Sequence, residues 1–141
     1  MVDMGKYIVN SKLRKVGAQV DTKTGIHQFI VDEPIAGHGT DAGPNPVQYL
    51  LSAVGSCLAI TANDIARKHP EIEIRKFQTK TTGETTQYQD GRSAVTKIIV
   101  QVDAETNLDE SAHRSFMRAV VKDCTVHETL KHAVPIEIQF I

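Results

Sequence analysis

The feature that most constrains this 141-residue chain is a long apolar helix, predicted to run from residue 45 to about residue 69. Asn45 is a favourable N-cap, and Pro46 stands at the first helical position, where its missing donor costs nothing. Gln48 lies three residues after the cap and can complete a capping box. From Val47 to Ile60 the helix is apolar on nearly every side, a pattern typical of a helix that other elements enclose.

The residues before this helix predict a β-hairpin and a loop. Tyr7–Val20 and Ile26–Val31 have extended character, and the turn residues of Asp21–Gly25 separate them. Asp32–Pro44 contains three glycines and two prolines, which predicts a loop that leads into the helix.

The residues after the helix predict two more helices and further strands. Hydrophobic alternation predicts strands, and helical spacing with capping residues predicts helices. The predicted elements are a strand around Ile72–Phe77, a polar hairpin loop at Thr81–Ser93, a strand at Ala94–Asp103, a helix from Asp109 to about Asp123, a short helix after Cys124 and a last strand at Ile136–Phe140. Together they predict one α+β domain over residues 1–141, with antiparallel strands and one buried helix.

Charge and length exclude several classes of partner. The formal net charge of −1 gives no bulk attraction to nucleic acid or to anionic lipid, so neither nucleic acid nor a membrane is expected as a partner. Met1–Asn10 lacks the apolar stretch of a signal peptide. Val47–Ile60 is shorter than the roughly 20 residues needed to span a bilayer. We therefore expect a soluble, cytoplasmic protein.

Two cysteines, Cys57 and Cys124, offer the only obvious redox chemistry. In a reducing compartment such a pair is either inert or reversibly catalytic, because structural disulfides are rare there. Cys124 precedes a predicted capping box formed by Thr125 and Glu128, so the helix N-terminus should lower the pKa of this thiol. The alternative interpretation, a small apolar residue at a helix junction, is equally consistent with the local sequence.

Cys57 lies in the middle of the apolar helix, where local sequence favours an inert core thiol. If it is reactive, a cation must come from elsewhere in the fold. His127 follows Cys124 within one turn and can add positive charge or form a Cys–His nucleophile, although capping explains this spacing better. The six histidines are scattered, and no metal-binding spacing occurs, so neither a metal nor a cofactor is predicted.

Two segments resemble the OsmC/Ohr family. Gly43–Cys57 ends in Leu-Leu-Ser-Ala-Val-Gly-Ser-Cys, and Cys124-Thr125-Val126 is close to the family's Cys-Pro-Val signature, in the right order and at a similar separation. The resemblance implies an OsmC-like α+β fold, with antiparallel sheets around a central buried helix. It also implies an intertwined homodimer, which would cover the all-round apolar segment of the helix.

The resemblance further implies a thiol peroxidase that acts in oxidative stress defence. Cys57 would attack a small organic hydroperoxide and become a sulfenic acid. Cys124 would then condense with it to a disulfide, and an external dithiol reductant would restore both thiols. This requires the two sulfur atoms to meet in the folded protein.

The sequence departs from the pattern of the family's peroxidases at two supporting positions. Gln48 stands where those members have a Glu, and the expected Arg is missing from Val31–Asn45. His38 is the only candidate cation in that loop, and Arg14 can reach in from the first strand. Without the Arg, the main cause of a low pKa at Cys57 is lost. The alternatives are a catalytically weakened dimer that binds a small apolar ligand and a redox sensor.

Overall fold

The computed structural model describes residues 2, 4–132 and 135–141. The chain forms two compact units, Met1–Tyr49 and Leu50–Ile141. That the whole chain acts as a single domain stays a prediction.

The first unit contains a three-stranded antiparallel sheet in the order β1 (Asn10–Leu13), β2 (Val20–Thr24), β3 (His27–Val31). The predicted turn at Asp21–Gly25 is wrong, because most of it belongs to the central strand. Strand β2 pairs on both sides, so its backbone groups are satisfied despite its polar sequence. The turn follows the strand, at Gly25 and Ile26. The φ of 56° at Gly25 suits a residue without a Cβ.

A buried carboxylate organises the loop that follows β3. Asp32 is only 1% exposed. It accepts hydrogen bonds from the backbone N–H groups of Glu33, Thr40 and Ala42 at 2.8–3.1 Å and from the Thr40 hydroxyl at 2.6 Å. The Thr40 hydroxyl is the largest influence on this carboxyl, and with the three N–H groups it outweighs burial and lowers the pKa of Asp32 to about 2. The loop therefore has one defined conformation around a charged centre.

Helix α1 (Pro46–Lys68) begins as the sequence predicts. The Asn45 side-chain oxygen accepts from the Gln48 N–H at 2.9 Å, and the Gln48 side-chain oxygen accepts from the Asn45 N–H at 2.9 Å. This reciprocal pair is a capping box, and it satisfies two backbone donors at the start of the helix. The helix ends one residue before the predicted end at about His69.

The second unit contains a long hairpin of β4 (Ile74–Gln87) and β5 (Ser93–Thr106). The predicted loop at Thr81–Ser93 is wrong over its first half, because β4 continues to Gln87. Threonine-rich sequence is polar yet favourable in strands, since β-branched side chains pack well on a pleated surface. The start of this stretch lies against α1, where a Cβ added to Gly55 would be 3.0 Å from Thr81 Oγ1.

The core of the second unit joins three helices to this sheet. Helix α2 (Glu110–Asp123) starts at the predicted N-cap, where the Asp109 carboxylate accepts from the Ala112 N–H at 2.8 Å. Helix α3 (Thr125–Lys131) is the predicted short helix. The buried residues of the core are Leu58, Ala62, Phe116, Val120 and Cys124, with Phe77 and Val100 among the side chains packed against them.

Much of the apolar surface of α1 is uncovered in the single chain. Its buried residues are Val54, Gly55, Leu58 and Ala62, whereas Ile60 is 62% exposed. At 23 residues, α1 is also long and apolar enough to cross a membrane by length and composition alone. Core helices of soluble proteins can be equally long and apolar. The length of the apolar stretch therefore does not by itself exclude a membrane-spanning helix.

The predicted last strand at Ile136–Phe140 is wrong for this chain. Residues 135–141 are described, and they form no strand. Ile136, Ile138 and Phe140 are strongly exposed. Alternation alone does not make a strand, because a strand also needs a hydrogen-bonded neighbour.

Candidate active site

The two cysteines come from different elements of the second unit. Cys57 lies on α1 and is half-buried, whereas Cys124 is fully buried at the junction of α2 and α3. The predicted capping box with Thr125 as N-cap is wrong, because Thr125 is already helical and Cys124 is the N-cap of α3. The thiol therefore lies one position closer to the free N–H groups of the helix than the sequence indicated.

The structure places the two cysteines close together, because Cys57 packs against the core cluster that contains Cys124. Both are free thiols. The contact forms within one chain and within one compact unit, because α1 and the α2–α3 junction pack in the same core. The two cysteines are therefore near each other in one chain, as the proposed disulfide requires, and their roles in a reaction stay predictions.

Hydrogen bonds favour the thiolate of Cys57. Burial raises the pKa of this thiol, but hydrogen bonds from the Val126 N–H, the Cys124 thiol and the Thr125 N–H outweigh burial, and the net pKa is lowered. The Thr61 hydroxyl also lies beside Cys57, but it donates its proton to the Cys57 carbonyl oxygen at 2.6 Å. The first turn of α3 and the neighbouring thiol therefore carry most of the effect.

Cys124 shifts in the opposite direction. Burial raises its pKa, the His127 N–H opposes this only in part, and the nearby Cys57 raises it further. The prediction that the helix N-terminus makes Cys124 the low-pKa thiol is therefore wrong. The N–H groups at the start of α3 do lower the pKa of a thiol, but the thiol is that of Cys57, which is far from α3 in sequence.

The pair is chemically asymmetric. A thiol with a lowered pKa supplies the thiolate, which is the nucleophilic form. Its neighbour stays protonated beside it and can attack an oxidised sulfur to close a disulfide. The arrangement is therefore suited to two-electron redox chemistry.

The family model described as "OsmC-like protein" matches residues 37–139, which include both cysteines and helices α1, α2 and α3. The chain belongs to the OsmC-like family.

Solved structures of similar proteins agree with this assignment. An OsmC-like protein from Mycoplasma pneumoniae is 26% identical, with a TM-score of 0.78 over 90% of this chain and 88% of that one. An organic hydroperoxide resistance protein OsmC from Legionella pneumophila is 12% identical, with a TM-score of 0.63 over 90% of each chain. One from Elizabethkingia anophelis is 14% identical, with a TM-score of 0.64 over 91% and 89%. No curated protein matches the sequence. The α+β fold with antiparallel sheets is thus that of OsmC-like proteins.

Three of the four supporting residues named from the sequence, Gln48, His38 and Arg14, belong to the first unit of this OsmC-like protein. Gln48 is exposed, and its amide is engaged in the capping box of α1. His38 is exposed, with a left-handed backbone at φ 69° after the 3-10 turn Ile35–Gly37. Arg14 donates from Nη1 to the Gln19 side-chain oxygen at 2.6 Å. Their roles in a site stay predictions.

Arg14 is part of a polar chain that sequence reasoning missed. Gln19 donates to the Thr40 hydroxyl at 2.8 Å, and this hydroxyl donates to Asp32 at 2.6 Å. This series of hydrogen bonds fixes the Arg14 guanidinium relative to the loop after β3. No sequence signal indicated it, because its members are scattered over residues 14–40.

His127 lies in the first turn of α3. Its backbone N–H is directed at Cys124. Its ring Nδ1 is buried and has no hydrogen-bond partner among the residues that the structure describes. A buried polar atom without a hydrogen-bond partner is energetically unfavourable.

Proposed function

We propose that this protein reduces organic hydroperoxides, with Cys57 as the attacking thiolate and Cys124 as the resolving thiol. The observation that supports this most is the proximity of two free cysteines in one core, and the opposite directions of their pKa shifts fit the same roles. A low-pKa attacking thiol beside a protonated partner is what the reaction requires.

The proposed reaction has three balanced steps. The Cys57 thiolate attacks the terminal oxygen of the hydroperoxide, the O–O bond breaks, and the leaving alkoxide takes a proton to become an alcohol. The Cys124 sulfur then attacks the Cys57 sulfenic acid, and water leaves as the disulfide forms. An external dithiol donates two electrons by thiol–disulfide exchange and regenerates both thiols.

The hydrogen bonds from α3 reduce the need for a nearby cation. Gln48 and the absence of an Arg from Val31–Asn45 raised doubt about the thiolate, but backbone donors also favour a charged sulfur. The Legionella and Elizabethkingia relatives are named organic hydroperoxide resistance proteins, which supports the same chemistry.

A homodimer in the cytoplasm is part of this proposal. The uncovered apolar residues of α1, such as Ile60, are of the kind that subunit interfaces bury. A reducing compartment would supply the dithiol and would keep both cysteines free between turnovers.

The test is consumption of cumene hydroperoxide with dithiothreitol as the reductant. We expect the wild type to turn over and Cys57→Ser to be inactive. Cys124→Ser should accumulate a sulfenic acid that dimedone traps. Ser56→Ala, an exposed neighbour on α1, serves as the matched control and should keep the wild-type rate. Equal rates for the wild type and Cys57→Ser would exclude the mechanism.

Ligand binding is the second candidate function. A cavity of about 380 Å³ in the second unit, lined in part by Val54, Ile98 and Leu130, supports it. A protein that only binds ligands needs no reactive thiol, so rapid alkylation of Cys57 by iodoacetamide at pH 6 would count against this candidate. A redox sensor would use the same thiols but would show one oxidation per protein rather than turnover.

A further inference from the structure

The 380 Å³ cavity has an apolar wall and a basic rim. It lies between the start of β5 and helix α3, and Val54 of α1 contributes to the wall. Its volume is at the lower end of the range of roughly 300–1,000 Å³ that is usual for small-molecule sites. Ile98 and Leu130 extend the apolar wall, whereas Lys97 and Lys131 bring two positive charges and His127 adds a polar ring.

A β-bulge shapes the strand side of this cavity. Glu84 pairs with Lys97, but Thr85 pairs with Val95, so Thr96 is an extra residue on β5. A bulge twists the strand and redirects its side chains. This explains how the consecutive residues 95–98 all line one cavity instead of alternating between the two faces of the sheet.

The lysines of the rim are not neutralised by neighbouring carboxylates. Among the residues that the structure describes, no Asp or Glu lines the cavity. Within the described parts of the chain, neither lysine has a carboxylate within the 4.0 Å of an ion pair, including Glu84 opposite Lys97. Glu128 lies one turn before Lys131, but it is directed at His132, 3.4 Å away.

We infer that this cavity binds a small anionic amphiphile, a carboxylate that carries a short acyl chain. The chain would bury apolar surface against Val54, Ile98 and Leu130, which is the favourable term for such a ligand. The carboxylate would stay at the rim, where Lys97 and Lys131 complement its charge. Neither Cys57 nor Cys124 lines the cavity, so the inference stands whether or not the thiols reduce peroxides.

The experiment measures binding of octanoate to the Cys57→Ser protein by isothermal titration calorimetry and by the rise in melting temperature with ligand concentration. The serine variant removes thiol chemistry, so failure here is distinguishable from failure of the proposed activity. We expect octanoate to bind more tightly than octan-1-ol, and octyltrimethylammonium to bind least. Adding Lys97→Met and Lys131→Met should weaken octanoate on the order of tenfold, as expected for two partly exposed charges.

The matched control is Lys12→Met with Lys23→Met, which changes net charge equally but affects the exposed strands of the first unit. It should leave octanoate affinity unchanged. A second variant, Ile98→Asn, should weaken octanoate and octan-1-ol alike while circular dichroism stays native. The inference is overturned if octanoate does not bind, if it binds no better than the alcohol, or if both lysine pairs have the same effect. A surface covered by a second copy of the chain would give the first of these results.

Discussion

Backbone groups of another element, rather than a charged side chain, lower the pKa of the Cys57 thiol. The first turn of α3 donates hydrogen bonds to a sulfur that α1 supplies. A backbone donor is fixed in place and does not titrate, so this support does not change with pH. Cys124 has similar donors nearby, but its complete burial raises its pKa instead.

Alkylation rates should show this asymmetry directly. We expect iodoacetamide to modify Cys57 first, with a rate that rises with pH through a pKa below that of an ordinary thiol, because only the thiolate reacts. Cys124 should react only after unfolding. Peptide mass spectrometry of the wild type at a series of pH values measures both rates. Earlier labelling of Cys124 would contradict the assignment of the two thiols.

Thr125 offers a sharper test at the same scale. It stands where the family signature has proline, and its N–H is one of the donors to Cys57. Thr125→Pro removes that donor at the first helical position, where proline is tolerated. We expect the alkylation pKa of Cys57 to rise while stability changes by less than about 1 kcal/mol. Thr125→Ala keeps the N–H and should leave the pKa unchanged; an equal rise in both variants would exclude the backbone as the cause.

At the scale of elements, the close contact of α1 with β4 holds the cysteine-bearing helix against the sheet. Gly55 lies where any side chain would meet Thr79 Oγ1, at 2.6 Å, and Thr81 Oγ1, at 3.0 Å. Glycine is unfavourable inside a helix, so this contact explains why one is present. Cys57 lies two residues after Gly55 on the same helix. A shift of α1 would therefore move the Cys57 thiol away from α3.

Gly55→Ala should lower the free energy of unfolding by about 1–3 kcal/mol, as overpacking usually does, despite the better helix propensity of alanine. Urea unfolding followed by circular dichroism measures this. Ser56→Ala, exposed on the same helix, should be neutral or slightly stabilising. Combining Gly55→Ala with Thr79→Ala should recover part of the loss, and no recovery would show that the contact with Thr79 is not the cause.

The loop before α1 depends on one ionised carboxylate. The pKa of Asp32 is about 2 in the folded protein, compared with 3.8 for a free aspartate side chain. The ionised Asp32 therefore stabilises the fold fully above pH 3.8, and this stabilisation is lost as the pH falls through 2. Asp32→Asn should therefore be less stable than the wild type at pH 6, and the difference should shrink towards pH 2. Urea midpoints across this range measure it. Asp41→Asn in the same loop is the control, and a difference that does not depend on pH would argue against the charge.

At the scale of the whole molecule, the amount of apolar surface left on one chain favours self-association. We expect a dimer in size-exclusion chromatography with light scattering. Ile60→Lys should shift the protein towards monomer, because it places a charge on the uncovered side of α1. Ile26→Lys changes a still more exposed isoleucine in the β2–β3 turn, and this variant should remain dimeric. A monomeric wild type would contradict the proposal.

What could be predicted from the sequence was decided by local chemistry. The start of α1 depends on Asn45, Pro46 and Gln48, and the start of α2 depends on Asp109; all of these interactions span only a few residues. The fold class and the family followed from the overall pattern and from the two cysteine motifs.

What could not be predicted depends on contacts between residues far apart in the chain. Polar β2 forms a strand because two neighbours pair with it, and Thr81–Gln87 stays in β4 because β5 lies opposite. Cys57 has a lowered pKa because Val126, from a distant segment, donates to it. No window of sequence around any of these residues contains that information.

The complete burial of Cys124 also gives the thiol pair a direction. Once a disulfide has formed, an incoming reductant can approach only the half-buried sulfur of Cys57, since the other sulfur is enclosed by the core. The mixed disulfide would therefore form on α1, and Cys124 would be the leaving group that recovers its proton inside the protein. The oxidant and the reductant would then both react at the same sulfur, that of Cys57.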